Sequence, residues 1–220
     1  MGTHPVFLCL AGRRCVVLGG DEQATAKALA CTRAGAAVVV VAPSVVAPLA
    51  DEVAAGRMTH LARAYQAGDL AGAFLCYASL RDAAAIAQVR DEARRGGVLL
   101  NVVDVPDACD FYAGAVVERG ALQIAIGTGG KSPALAARLR ERLDADIGAE
   151  FGTVVEILGE LRRRLAGRAD RQAILRAVAG SELPALLRRQ VVAAVDRLLA
   201  ATAGEDCSLA RLGITAERPA

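Results

Sequence analysis

The sequence predicts an α/β protein, with a doubly wound parallel sheet in its first half and a hairpin followed by helices in its second. Three observations carry that reading. Strand-length apolar runs at residues 15–18, 37–41, 73–78 and 98–103 alternate with helical stretches at 22–34, 46–55 and 82–95. The runs are almost continuously apolar and rich in Val and Leu, as strands covered on both faces are. After residue 112 the alternation stops: 113–118 and 122–128 read as strands turned at Arg119-Gly120, and 154–165, 170–179 and 183–201 read as helices.

The first strand runs into Gly19-Gly20-Asp21-Glu22-Gln23-Ala24. A strand, a glycine turn and a helix in succession place backbone N–H groups at the positive end of the helix, where a pyrophosphate is held. Gly19 and Ala24 fit the first and last positions of the dinucleotide fingerprint Gly-x-Gly-x-x-Gly/Ala, and Asp21 takes the middle one. A carboxylate there repels phosphate unless it points away, so the opposing reading is a doubly wound domain that no longer holds a nucleotide. The second strand ends at Val41-Ala42-Pro43-Ser44, with no acid for ribose hydroxyls and no Arg or Lys for a 2′-phosphate. That end favours NAD, held by backbone groups and Ser44.

The run at 98–103 leads into Asn101-Val102-Val103-Asp104-Val105-Pro106. It lies at the carboxyl end of the last parallel strand, the edge on which such sheets present ligands. Asp104 is a candidate general base and Asn101 a candidate ligand-orienting group; the other reading of Asp104 is a turn residue ahead of Pro106. Further on, Gly127-Thr128-Gly129-Gly130-Lys131-Ser132-Pro133 contains Gly-Lys-Ser, but Ala125 stands where a P-loop needs its first glycine, which excludes ATP hydrolysis. Ser132 and Pro133 open a helix on which Leu135, Leu139, Leu143 and Ile147 recur at helical spacing. With Lys131 and Arg138 beside it, this glycine turn suits a carboxylate-rich ligand.

Composition narrows the function classes. At 220 residues, 54% hydrophobic and 23% charged, the chain has material for one large domain or two small ones and is not disordered. No apolar run approaches the ~18 residues of a membrane span, and Met1-Gly2-Thr3-His4-Pro5 is no secretory signal, so the expected location is the cytoplasm. The six cysteines include no Cys-x-x-Cys pair and the two histidines stand apart, which predicts reduced, mostly buried thiols and no metal site. A net charge of +2 with 3% aromatics disfavours nucleic acid. Residues 161–190 nevertheless hold eight arginines (162, 163, 164, 168, 171, 176, 188 and 189) against Asp170 and Glu182, either a solvated face or a surface for a polyanion.

Taken in order, these segments resemble the precorrin-2 dehydrogenase / sirohydrochlorin ferrochelatase family, which also forms the front part of siroheme synthase. The resemblance rests on Pro5-Val6-Phe7-Leu8-Cys9-Leu10, Gly12-Arg13-Arg14-Cys15 through Gly20, Arg33-Ala34-Gly35-Ala36, and Gly68-Asp69-Leu70 with Gly72-Ala73-Phe74-Leu75. It continues in Asn101-Val102-Val103-Asp104, Cys109-Asp110-Phe111 and Thr128-Gly129-Gly130 with Ser132-Pro133-Ala134-Leu135-Ala136, and spans 5–148. It implies an NAD-binding, Rossmann-like domain over 1–112, a dimerisation segment over 113–148 and a helical C-terminal domain over 149–202; the polar stretch 203–220 reads as a flexible tail. The implied reaction is loss of a hydride from precorrin-2 to NAD and of a proton to a base, giving sirohydrochlorin. Some members then insert ferrous iron, which makes iron a candidate substrate rather than a bound cofactor.

The family's essential aspartate falls on Asp104, and its nucleotide contacts fall on Glu22, Gln23, Pro43 and Ser44, beside Gly19, Gly20, Asp21 and Asn101. Its phosphorylatable serine falls on Thr128. The macrocycle's carboxylates give a purpose to Thr128, Gly129, Gly130, Lys131, Ser132 and Arg138, and the implied assembly is a homodimer. The chain departs from the family at Asp21, at Ser79-Leu80-Arg81-Asp82 where Ala-Thr-Asp-Asp is usual, and at Ala87 where Asn is common. It also lacks the Gly-x-Gly-Pro-Gly-Asp start of a methyltransferase half, so S-adenosylmethionine chemistry is not expected. Because the departures cluster on the nucleotide side, two alternatives stand: a chelatase or tetrapyrrole-binding protein that has lost NAD, and a non-catalytic nucleotide-sensing domain.

Overall fold

Cys15, Val16, Val17 and Leu18 are all fully buried, and the strand that carries them, β1 (Arg14–Leu18), lies at the centre of a five-stranded sheet. The structure, a computed structural model, describes residues 2–215 and divides into two units, Met1–Ala113 and Gly114–Ala220. In the first unit β1 is flanked by β2 (Ala37–Val41) and β4 (Leu75–Ala78), with β3 (Thr59–Leu61) and β5 (Leu99–Val102) at the edges, in the order β3-β2-β1-β4-β5. Every pairing is parallel. The winding reverses between β1 and β4, so the loops at their carboxyl ends part and leave a crevice.

Successive side chains on a strand point to opposite faces, and each face has its own cover. Val16, Leu18, Cys76, Ala78, Leu100 and Val102 pack in one layer with Val89 and Ala93 of α3 (Ala83–Gly96). Cys15, Val17, Val38, Val40 and Leu75 pack in the other with Ala24, Ala28 and Cys31 of α1 (Glu22–Arg33) and Leu49 of α2 (Ala47–Ala54). Covering on both sides is why these strands read as unbroken apolar runs. The short β3 went unread because Thr59-His60-Leu61 has no such run; its ladder to β2 holds it in place, and His60 Nε2 lies 2.9 Å from the carbonyl of Ala42.

The second unit opens with an antiparallel pair, β6 (Ala115–Arg119) and β7 (Leu122–Ile126), closed at Arg119↔Leu122 with Gly120 at φ +56°. Next comes α4 (Pro133–Asp146), tied to the hairpin by Arg119, whose guanidinium donates to the Ile147 carbonyl at 2.8 Å and the Asp144 carboxylate at 3.0 Å. The helices α5 (Glu150–Arg164), α6 (Arg171–Ala179), α7 (Leu183–Arg188), α8 (Val192–Ala203) and α9 (Leu209–Leu212) build a separate core. Val154, Ile157, Leu161 and Leu165 line one face at helical spacing and meet Val178, Leu183 and Leu199.

Two expectations need correcting here. The single helix read over 183–201 is two, α7 and α8, because Gln190 adopts φ +58° and the chain turns back. Gln190 N–H bonds to the Leu187 carbonyl at 2.9 Å and Val191 N–H to that of Leu186 at 3.1 Å, a C-terminal closure that normally advertises itself with glycine. The flexible tail read from residue 203 is folded over its first part: Ala203, Cys207, Leu209 and Leu212 are buried in the helical core. Asp196 secures it by accepting the Leu209 N–H at 2.8 Å. The polar Gly204-Glu205-Asp206 link disguised these apolar residues, and 216–220 lie outside the described residues. Among the described residues no helix is long and apolar enough to cross a membrane.

Candidate functional site

At the carboxyl ends of β1, β2 and β4 lies a cleft of about 1020 Å³, at the upper end of the ~300–1,000 Å³ usual for ligand pockets. Its walls are the Gly19-Gly20-Asp21 turn, the 41–46 loop after β2, Ala64 and Tyr65 after β3, and Ser79 to Asp82 leading into α3. Of the residues expected at the nucleotide, Gly19, Gly20, Asp21, Pro43 and Ser44 come together here. Glu22 and Gln23 stand exposed on the first turn of α1.

The glycines of the turn are dictated by neighbouring loops. A Cβ on Gly19, whose φ is +117°, would sit 2.7 Å from the Ser79 carbonyl oxygen, and one on Gly20 would sit 1.9 Å from that of Ser44. Gly19 N–H donates to Val41 at 3.0 Å and the Gly20 carbonyl accepts from Val46 at 2.9 Å, so the β2 loop folds directly onto the turn. The N–H groups of Gly20 and Asp21 have no partner among the described residues and remain free to donate.

Asp21 does not point away. It is the N-cap of α1: one carboxylate oxygen accepts the Ala24 N–H at 2.8 Å and the other accepts the Ser79 hydroxyl at 2.7 Å. Burial would raise its pKa, but the hydrogen bonds from Ala24, Ser79 and Gln23 and the nearby charge of Arg81 outweigh burial and hold it below the ordinary carboxylate value. The positive helix end that usually takes a pyrophosphate therefore already carries an anion. Asp21→Asn keeps a capping side chain and removes that charge. It should tighten NAD binding about tenfold, roughly 1.4 kcal/mol, as read by calorimetric titration; unchanged affinity would mean that the carboxylate does not face the phosphates.

The wall on the side of β2 and β3 is apolar, formed by Val41, Ala42, Pro43, Ala64 and Tyr65. Tyr65 is held there by Glu92 on α3, whose carboxylate accepts the Tyr65 hydroxyl, the Leu70 N–H at 2.8 Å and the Gly68 N–H at 3.1 Å. Burial and that hydrogen bond push the phenol above its ordinary pKa. Nothing in the sequence marked Tyr65, because the residue that places it lies 27 positions away.

Asp104 sits on the same edge of the sheet, just past β5, which pairs with β4. It is exposed and holds φ +60°, a left-handed conformation that costs a non-glycine residue ~1–3 kcal/mol and clusters at functional sites. The turn is braced from beneath by Cys109. Its thiol donates to the carbonyls of Val102 and Val105, at 3.2 and 3.3 Å, and its sulfur accepts the Val102 N–H at 3.3 Å. Asn101 is buried, and its amide donates to the Phe111 carbonyl at 2.8 Å rather than into the cleft. Asp110 completes the staple by accepting the Leu100 N–H at 2.9 Å.

The remaining expected site residues belong to the second unit. Thr128, Gly129, Gly130, Lys131 and Ser132 form a tight turn before α4, with Gly129 and Gly130 at φ +60° and +74°. The Thr128 hydroxyl accepts the Ser132 N–H at 3.2 Å, and Ser132 caps Leu135 at 3.3 Å. Lys131 is exposed, and Arg138 is exposed and 3.6 Å from Glu141. The arginine-rich stretch is partly neutralised within the unit: Arg163 and Arg164 pair with Glu160, Arg168 with Asp170 and Arg188 with Glu150. Among the described residues no three His, Cys, Asp or Glu side chains converge as a metal site would require.

Comparison with known proteins agrees with this geometry. Residues 6–115 match the family model described as "Putative NAD(P)-binding", and residues 119–145 match one described as "Sirohaem biosynthesis protein central". A siroheme synthase of Methylobacillus flagellatus is 38% identical over 168 residues, covering 76% of this chain and 36% of the relative. Siroheme synthase 1 of Pectobacterium atrosepticum is 40% identical over 168 residues, covering 76% and 35%. The chain thus spans about a third of the length of the curated relatives it matches. Among solved structures, "SirC, precorrin-2 dehydrogenase" shares the fold at a TM-score of 0.72 and 24% identity, covering 89% of this chain and 100% of that one.

Proposed function

Because this chain belongs to the NAD(P)-binding family whose model covers residues 6–115 of its 220, and is 38% and 40% identical over 168 residues to two siroheme synthases, we propose that it is an NAD-dependent dehydrogenase oxidising precorrin-2 to sirohydrochlorin. The observation that carries this reading is the placement, on one edge of one sheet, of a dinucleotide-sized cleft at the winding reversal and an exposed carboxylate on a braced turn. The cleft suits the cofactor in chemistry as well as size: two unpartnered N–H groups on the glycine turn, an apolar wall on the side of β2 and β3 for the adenine, and no Arg or Lys in the 41–46 loop to reward a 2′-phosphate. The free N–H donors favour a working nucleotide site over one that has been lost.

When bound, NAD accepts a hydride from the reduced macrocycle. Gly20 and Asp21 N–H groups would hold the pyrophosphate, and Pro43, Ser44 and Tyr65 would enclose the adenosine end. From the winding reversal the carboxyl edge of the sheet continues over β4 to β5. There Asp104 takes the proton released as the hydride leaves, so the macrocycle loses two hydrogens in all. Its exposure leaves room for a large ligand, and the Cys109 brace keeps the carboxylate from drifting with its loop. Within the second unit, the Thr128-Gly129-Gly130-Lys131-Ser132 turn and Arg138 offer contacts for a carboxylate-rich ligand, with the 1–112, 113–148 and 149–202 segments serving as nucleotide, dimerisation and helical domains. Exposed Val116, Leu135 and Leu139 on the hairpin and α4 support the dimerisation role, in a cytoplasmic homodimer with free thiols. The same carboxylate would receive pyrrole protons if ferrous iron is taken as a further substrate. The test is conversion of precorrin-2 with and without NAD, followed by its visible spectrum: NAD-dependent appearance of sirohydrochlorin is expected, and no conversion under either condition would refute the reading.

A further inference from the structure

Two helices aim their positive ends into the cleft, and both are already occupied by the protein's own carboxylates. Asp21 caps α1, and Asp82 caps α3 by accepting the Ala84 and Ala85 N–H groups at 3.1 and 3.3 Å. The charged side chains lining the cleft are Asp21, Asp82 and Arg81, which makes Arg81 the one cation among the described lining residues. It is exposed and makes no hydrogen bond or ion pair among the described residues, although its charge acts on Asp21. A dinucleotide brings two phosphate charges into this space. The Ala24 N–H that would ordinarily meet a pyrophosphate is taken by Asp21, and like charges brought together without a cation between them repel.

We propose that Arg81 is a further pyrophosphate-binding residue of this site, a guanidinium clamp that joins the Gly20 and Asp21 N–H groups and takes over from the helix end occupied by Asp21. This rests on the dinucleotide reading above. The planar guanidinium donates to two phosphate oxygens at once. From the loop between β4 and α3 it reaches the cleft beside the free N–H groups of Gly20 and Asp21. Asp21 and Arg81 act as a matched pair, the acid holding the turn through Ser79 and the cation offsetting it toward the ligand.

Calorimetric titration with ADP-ribose, NAD and adenosine separates the possibilities. Arg81→Met should weaken ADP-ribose and NAD about tenfold, the scale of one charge-assisted hydrogen bond, and leave adenosine unchanged. Arg81→Lys should recover part of the loss, and the difference from wild type should shrink at high salt. Wild-type affinity of Arg81→Met for ADP-ribose would overturn the assignment while leaving the dinucleotide site standing. A parallel loss of adenosine would also overturn it, since the loop and not the phosphate contact would then be at fault. Failure of the wild-type protein to bind either ADP-ribose or NAD would overturn both this inference and the function it rests on.

Discussion

Asp104→Asn should reduce turnover of precorrin-2 by about 10²–10⁴-fold, the range for losing a general base, and change NAD affinity by no more than about twofold, since Asp104 is not among the residues lining the cleft. The choice of Asn matters. At φ +60° an alanine would strain the turn, whereas Asn tolerates the left-handed region at least as well as Asp. It also preserves shape and loses only the ability to take a proton. Steady-state rates beside an NAD titration separate chemistry from cofactor binding. Turnover near the wild-type rate would remove Asp104 from the mechanism and return it to the role of a turn residue before Pro106.

Gly20→Ala should lower NAD affinity by about a hundredfold, roughly 2.7 kcal/mol, and cost the fold about 1–3 kcal/mol as overpacking does. The cause is geometric. The new methyl would fall 1.9 Å from the Ser44 carbonyl oxygen, which is backbone and cannot rotate aside. The loop after β2 must lift, breaking the 2.9 Å bond from Val46 N–H to the Gly20 carbonyl and moving Pro43 and Ser44 out of the cleft wall. Urea unfolding and calorimetry measure the two effects separately. Full affinity in a destabilised protein would show that the loop's position is immaterial to the nucleotide.

The sheet was legible because its strands are buried on both faces: β2 is read over 37–41 and observed there. What stayed hidden was set by contacts between distant residues. β3 depends on its ladder to β2, and the break before α8 depends on a left-handed Gln190 where glycine was absent. The site was legible in the same measure. The glycine turn announced itself by spacing, whereas the place of Asp104 after β5 left both a general base and a turn residue open. Asp21 was visible as a departure from the fingerprint, but its meaning came from Ser79, 58 residues on. Tyr65 and Gln88 reach the cleft by folding alone, without a motif that could have marked them. Asn101, read as facing the ligand, spends its amide on Phe111, a bond that only the return of the chain after β5 makes possible.

The proposed reaction is transfer of a hydride from a tetrapyrrole near Asp104 to NAD held in the cleft beside the Gly19-Gly20-Asp21 turn. Its most direct test is a single-turnover reaction under strict exclusion of air, with wild-type protein, precorrin-2 and NAD, in which NADH and sirohydrochlorin are measured together. Both should appear at the same rate and in equal amounts, and neither should form when NAD is withheld. Sirohydrochlorin formed without matching NADH, or NAD left unreduced while precorrin-2 persists, would contradict the proposed reaction.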